Sequence, residues 1–195
     1  MNAIEPDKHP LLHRVEQAAA WVNQDAYPAW STVADEHERW LRFTEEKGAF
    51  ERFLPRLRGR PAQRDATIAE IGVAYFLERH CDLPIQTWEP PGENGTMGEF
   101  GISLSDGRTM FVEVKSPGWK AEIVEREGKD SPRLAQPKDI HGEAHSTAPW
   151  QRVREAVKKA YVKMPATTPT LLVICDDLSV SLNDWPQNVM EIALH

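Results

Sequence analysis

Glu99, Glu113 and Lys115 are the side chains in this chain whose types and spacing fit metal-assisted hydrolysis of a phosphodiester. Residues 98–104 and 108–116 alternate as two strands: Phe100, Ile102 and Leu104 share one face of the first, and Met110, Val112 and Val114 share one face of the second. Burying both apolar sets on one side requires an odd-numbered loop, because a slip of one residue turns one set toward water. A loop of Ser105, Asp106 and Gly107, with the glycine in the left-handed region of a bulged turn, meets that demand. Phe100 then faces Val112, Ile102 faces Met110, and Glu99 lies opposite Glu113. Opposed side chains on adjacent strands have Cβ atoms about 5 Å apart, and like charges there repel. A divalent ion such as Mg²⁺, which takes carboxylate, water and phosphate oxygens, would reconcile the two acids. Lys115 projects from the same face as Glu113 and is placed to orient the attacking water. The ion would neutralise phosphate charge and acidify water. The alternative is a wet hairpin face on which Lys115 and cross-strand pairing offset the repulsion.

The elements that must position these groups follow from periodicity. From Pro10 to Leu57 apolar residues recur at helical spacing, first Leu11, Leu12, Val15, Ala18, Ala19 and Val22, then Trp40, Phe43, Phe50, Phe53, Leu54 and Leu57. Trp21, Trp30 and Trp40 read as packing residues. The arginine run from Arg56 to Arg64, punctuated by Gly59 and Pro61, reads as a linker, either a solvated basic connection or an edge facing DNA. Asp65 is the expected N-cap of a helix running to His80, in which Ile68, Ile71, Val73, Ala74 and Leu77 form the apolar side. Glu70 interrupts that side, as an edge residue or as a further acid directed at the metal. Residues 84–88 look extended, 117–148 form a long polar segment, 150–163 are helical, 170–175 a buried strand, and 184–194 a closing helix. Two domains are expected: a helical extension over residues 1–60 and an α/β core over 61–195.

This order of residues resembles the PD-(D/E)XK nuclease superfamily, the restriction-endonuclease-like fold. The resemblance spans roughly Asp65 to Cys175: a helix bearing Glu70, the Gly98-Glu99-Phe100 position, the strand Phe111-Val-Glu-Val-Lys-Ser116, then a helix and a further strand. It implies a central mixed sheet flanked by helices and a metal-dependent nuclease with DNA as the expected substrate, with Glu113 and Lys115 as the motif's acid and lysine and Glu70 as the helix glutamate found in many members. Glu99 and Glu113, with the backbone carbonyl of Val114, would hold Mg²⁺ or Mn²⁺. Many members pair to cut duplexes, so a homodimer is a further expectation. The chain departs from the pattern in having Glu99 where Asp is usual, and Glu155 where branches with a glutamine such as Gln151 carry tyrosine. The competing expectation is an inactive module on the same scaffold that binds nucleic acid or a protein.

Composition bounds these readings. With 195 residues, 41% hydrophobic and 27% charged, the chain has the make-up of a globular protein with one sizeable core. The net charge of -7 argues against a non-specific coat for nucleic acid. That charge is uneven, however: residues 51–163 hold 18 basic and 17 acidic side chains, whereas residues 164–195 hold no basic and 4 acidic ones. Arg152, Lys158 and Lys159 lie on the basic helix, with Arg154 and Lys163, and are the expected contacts to nucleic acid. His141 and His145 have metal-ligand spacing but lack the adjacent glutamate of a zinc-protease helix, and Trp119 and Lys120 are expected to border the cleft or simply to pack. No apolar run approaches a membrane span, so no membrane partner is expected. Cys81 and Cys175 are spaced for neither metal nor redox chemistry and are expected to be thiols of a cytoplasmic protein, with a disulfide between them left open.

Overall fold

The N-terminal periodicity is realised as four helices, α1 (Pro10–Glu16), α2 (Trp30–Glu46), α3 (Phe50–Leu57) and α4 (Pro61–His80). They are seen in a computed structural model that describes residues 6–16, 30–116 and 149–175. The chain divides into two compact units, Met1–Cys81 and Asp82–His195. Within the first, α4 packs with α2 and α3, and α1 with α2. Thus α4, expected to open the core at residue 61, falls in the helical unit.

Of the apolar stripes read from the sequence, Leu11, Leu12, Val15, Phe43, Phe50, Phe53, Leu54, Leu57, Ile71, Ala74 and Leu77 are buried in the core of this unit and Ile68 and Val73 are half-buried, while Leu41, outside those stripes, is buried with them. Burial of one Leu or Phe side chain contributes roughly 1.5–3 kcal/mol, so the stripes hold the helices together. Trp40 packs as expected, its ring lying about where a Cβ on Gly72 would stand, 3.0 Å away.

Two expectations near the helix junction are corrected. Asp65 is not an N-cap; α4 starts five residues earlier, with Arg60 at the cap and Pro61 in the first turn. Proline's fixed φ suits that turn, where its missing N–H has no helical partner to lose. The arginine run is correspondingly not one linker. Only Arg58, Gly59 and Arg60 separate α3 from α4, while Arg56 lies in the last turn of α3 and Arg64 is buried in α4.

The second unit holds a four-stranded sheet, β1 (Ile85–Trp88), β2 (Phe100–Ser103), β3 (Thr109–Lys115) and β4 (Thr170–Ile174), in that spatial order. The first three strands are antiparallel neighbours and β4 runs parallel to β3, so the sheet is mixed. Helix α5 (Pro149–Tyr161) precedes β4 and packs on β3 and β4 through a side on which Val153, Ala156 and Ala160 are buried. The expected α/β class with a central mixed sheet is therefore present.

The hairpin forms as its loop dictates. Phe100 pairs with Val112 and Ile102 with Met110. Leu104 N–H donates to Arg108 O at 2.8 Å across Ser105, Asp106 and Gly107, and Gly107 has φ +81°. Asp106 locks the turn by accepting from Arg108 N–H at 3.0 Å. Both faces of β3 are buried, since Phe111, Val112, Glu113 and Val114 are all inaccessible or nearly so. The wet-face alternative for Glu113 does not hold. β4, expected to be buried, is half-buried along its length, as the last strand in the order. Among the described residues no helix is long and apolar enough to cross a membrane. Cys81 and Cys175 are not disulfide-bonded. The closing helix, His141, His145, Trp119, Lys120 and the tryptophan at 21 lie outside the described residues.

Candidate functional site

Glu113 sits at the middle of the site because the sheet brings it there from both sides. Phe111, Glu113 and Lys115 align with Thr170, Leu172 and Ile174 of β4, with Phe111 N–H donating to Pro169 O at 2.8 Å and Cys175 N–H to Lys115 O at 2.7 Å. These residues therefore turn their backbone groups toward β4. Alternate residues Val112 and Val114 turn theirs toward β2, as the bond from Glu99 N–H to Val112 O at 3.0 Å shows. Val114 lies one pair beyond the last rung, Phe100 with Val112, so its carbonyl faces the open end of the hairpin.

Glu99 stands at that open end, but not in the register expected. The rung that would set it opposite Glu113 is absent. Its N–H goes instead to Val112 O, so two consecutive residues, Glu99 and Phe100, address Val112, the arrangement of a β-bulge. The physical reason lies in the preceding strand: Glu99 O accepts from Glu89 N–H at 2.9 Å, and that bond draws the residue toward β1.

The Glu113 carboxylate is fully buried, with 0% of its side chain exposed. Lys115 Nζ bonds its Oε1, as the shared face predicts. Lys163 Nζ bonds the same oxygen at 2.7 Å. Glu113 Oε2 is buried and has no hydrogen-bond partner among the described residues. Burial alone would lower the pKa of Lys163, but the bond to Glu113 and the negative charges of Glu113 and Glu99 outweigh it and the pKa is raised. Lys163 thus feels both carboxylates, which places Glu99, Glu113, Lys115 and Lys163 in one electrostatic group.

Lys163 was legible only as part of a basic helix. Its place on Glu113 is set by a loop with no sequence periodicity. Glu93 N–H donates to Lys163 O at 2.9 Å, Asn94 Nδ2 reaches Val162 O at 3.4 Å, and Ala166 N–H bonds the Glu93 carboxylate at 3.2 Å. Gly92 allows this approach, for a Cβ there would lie 2.5 Å from Lys163 O.

The other expected residues are placed as follows. Glu70 is buried in the helical unit, where Arg56 donates to its Oε2 at 2.7 Å. Lys158 and Lys159 are exposed on α5. Arg152 belongs to the same helix, its side chain outside the described set.

The donors fit a hard cation in kind: a bare carboxylate oxygen on Glu113, the Glu99 carboxylate and the Val114 carbonyl are all oxygens, as Mg²⁺ or Mn²⁺ prefers. They are few. Among the described residues no group of three or more His, Cys, Asp or Glu side chains is gathered to hold a metal. No family model, curated protein or solved structure matches this chain.

Proposed function

We propose that the chain is a metal-dependent nuclease of the PD-(D/E)XK type, cutting phosphodiester bonds, in DNA before RNA. One observation carries the reading: a fully buried glutamate on the third strand has one oxygen bonded by the lysine two residues on and the other left without a hydrogen-bond partner among the described residues. A buried acceptor without a partner costs about 1–3 kcal/mol, and a charged one more, so such an atom is retained where something else uses it. The element order supports the same reading, since α4, three antiparallel strands, α5 and a parallel β4 follow in the sequence expected of a restriction-endonuclease-like core.

On this reading Glu113, Glu99 and the Val114 carbonyl hold Mg²⁺ or Mn²⁺, which when bound supplies charge neutralisation at the scissile phosphate. Lys115 orients the attacking water and offers its ammonium to the charge that develops on phosphate oxygen. Lys158 and Lys159, with Arg152, take the neighbouring phosphates of the strand.

A second reading is favoured by the charge count. Lys115 and Lys163 already balance Glu99 and Glu113, so the group needs no cation to be stable, and an inactive module that binds nucleic acid or a protein would carry the same quartet. Incubation with single- and double-stranded DNA and RNA in Mg²⁺ or Mn²⁺ separates the two. Cleavage by the native chain that drops by roughly 10²-fold or more in Glu113→Ala and Lys115→Ala supports the enzyme. Equal cleavage in both variants rejects this site, and absence of cleavage alongside retained nucleic-acid binding favours the module.

A further inference from the structure

Glu113 Oε1 is loaded twice while Oε2 is not loaded at all, and only one of the two lysines is explained by the hairpin. Lys115 reaches the carboxylate from the same strand. Lys163 arrives from beyond the end of α5, and its backbone is pinned there from two directions: its N–H donates to Ala160 O at 2.9 Å and its carbonyl accepts from Glu93 at 2.9 Å. The four-carbon stem beyond that anchor is rotatable, and 27% of the Lys163 side chain is exposed, so the ammonium has a route to water that the 0%-exposed carboxylate lacks.

We propose that Lys163 is a positioning residue that occupies Glu113 until a divalent cation takes the carboxylate, and then turns its ammonium to the substrate phosphate. The proposal rests on the nuclease reading given above. Its physical basis is charge. With Lys163 in place the two carboxylates and two ammoniums make a group of no net formal charge. A divalent ion added to that neutral group meets two nearby ammoniums, and like charges a few ångströms apart repel by several kcal/mol even at an effective dielectric of about 20. Departure of Lys163 relieves this repulsion, and a phosphodiester anion then compensates both the ion and the released lysine. Metal and nucleic acid should therefore bind cooperatively, with Lys163 as the coupling group.

The full chain is tested by titrating Mn²⁺ and following its electron paramagnetic resonance signal, and separately by measuring the affinity for a duplex oligonucleotide in saturating, non-catalytic Ca²⁺. Lys163→Met is expected to bind Mn²⁺ about tenfold tighter than the native chain and the oligonucleotide about tenfold more weakly. A merely structural lysine would weaken both. Lys163→Gln, which keeps a hydrogen-bond donor without the charge, guards against a folding defect and is expected to shift both affinities in the same directions. Lys163→Arg is expected to bind Mn²⁺ no tighter than the native chain. Mn²⁺ binding that is lost in Glu113→Gln but untouched or weakened in both neutral Lys163 variants overturns this proposal and leaves the nuclease reading standing. No Mn²⁺ binding by any of these proteins overturns both.

Discussion

Glu113 and His37 show two ways in which a titratable group is held inside this chain. The carboxylate is buried and stays compensated by two ammoniums on one oxygen. The imidazole is half-buried, with its Nδ1 inaccessible, and desolvation lowers its pKa from 6.5 to about 4, the ring being set against Trp40 at 5.3 Å. The sign of the pH effect follows. Between pH 6.5 and about 4 the unfolded chain takes up a proton on this histidine that the folded chain refuses, so this contribution to stability is complete above pH 6.5 and is lost as the pH falls toward 4. At roughly 1.4 kcal/mol for each pH unit, the loss reaches about 3 kcal/mol at most. Urea denaturation between pH 7 and pH 4 should show it in the native chain, and His37→Leu should flatten that part of the profile. Had His37→Leu the same slope as the native chain, the histidine would be titrating normally. Of the candidate residues, Glu113 and Lys115 were readable because strand alternation fixes which side chains share a face. Lys163 was not, because fifty residues and a helix separate it from its partner and periodicity carries no information on where a long side chain ends.

Helix α1 depends on a neighbour for its start. It spans seven residues, too few to be stable alone, and its first turn has no acid of its own. Glu38 of α2 supplies the cap: its carboxylate accepts from Leu11 N–H at 3.1 Å and from Leu12 N–H at 2.9 Å, while Arg42 steadies it from the next turn at 3.1 Å. Two otherwise orphaned donors at the positive end of a helix meet a buried anion. Glu38→Ala should therefore destabilise the chain by about 2–3 kcal/mol in urea denaturation, with amide exchange faster at Leu11 and Leu12 than in α4. An effect below about 0.5 kcal/mol would mean that α1 is not held in this way. This contact was not visible in the sequence, where Glu38 reads as one more charge on an amphipathic helix. Existence and type of the elements were visible, from the apolar spacing of Phe50 to Leu57 and the alternation of Phe100 to Val114. Boundaries were less so: the start of α4 was drawn to Asp65 because a carboxylate is a good cap, whereas Pro61 decided it through backbone geometry. Glu99 escaped the hairpin register because its carbonyl answers to Glu89, a residue outside the two strands being matched.

Across the whole chain the net charge of -7 opposes a polyanion, and the nuclease reading needs the cations to be concentrated where a strand would lie. The residues available are Arg152, Lys158 and Lys159 on α5, the helix that precedes Lys163. Each cation that neutralises a phosphate of duplex DNA releases condensed counterion, with a slope of about -0.9 in log K against log salt for each contact. The three contacts from α5 predict a share of about -2.7 in the slope, which alone weakens binding about fortyfold from 50 to 200 mM salt. Lys158→Ala and Lys159→Ala together should make the slope shallower by about 1.8 while leaving the fold intact, because both side chains are exposed. The measurement is a fluorescence anisotropy titration of a labelled duplex in Ca²⁺ at four salt concentrations. A native slope near zero would place the acidic remainder of the surface in control and remove α5 from the nucleic-acid interface. A steep slope unaffected by the double substitution would instead move the contact surface to other cations of the chain, with the arginines between α3 and α4 the next to be replaced.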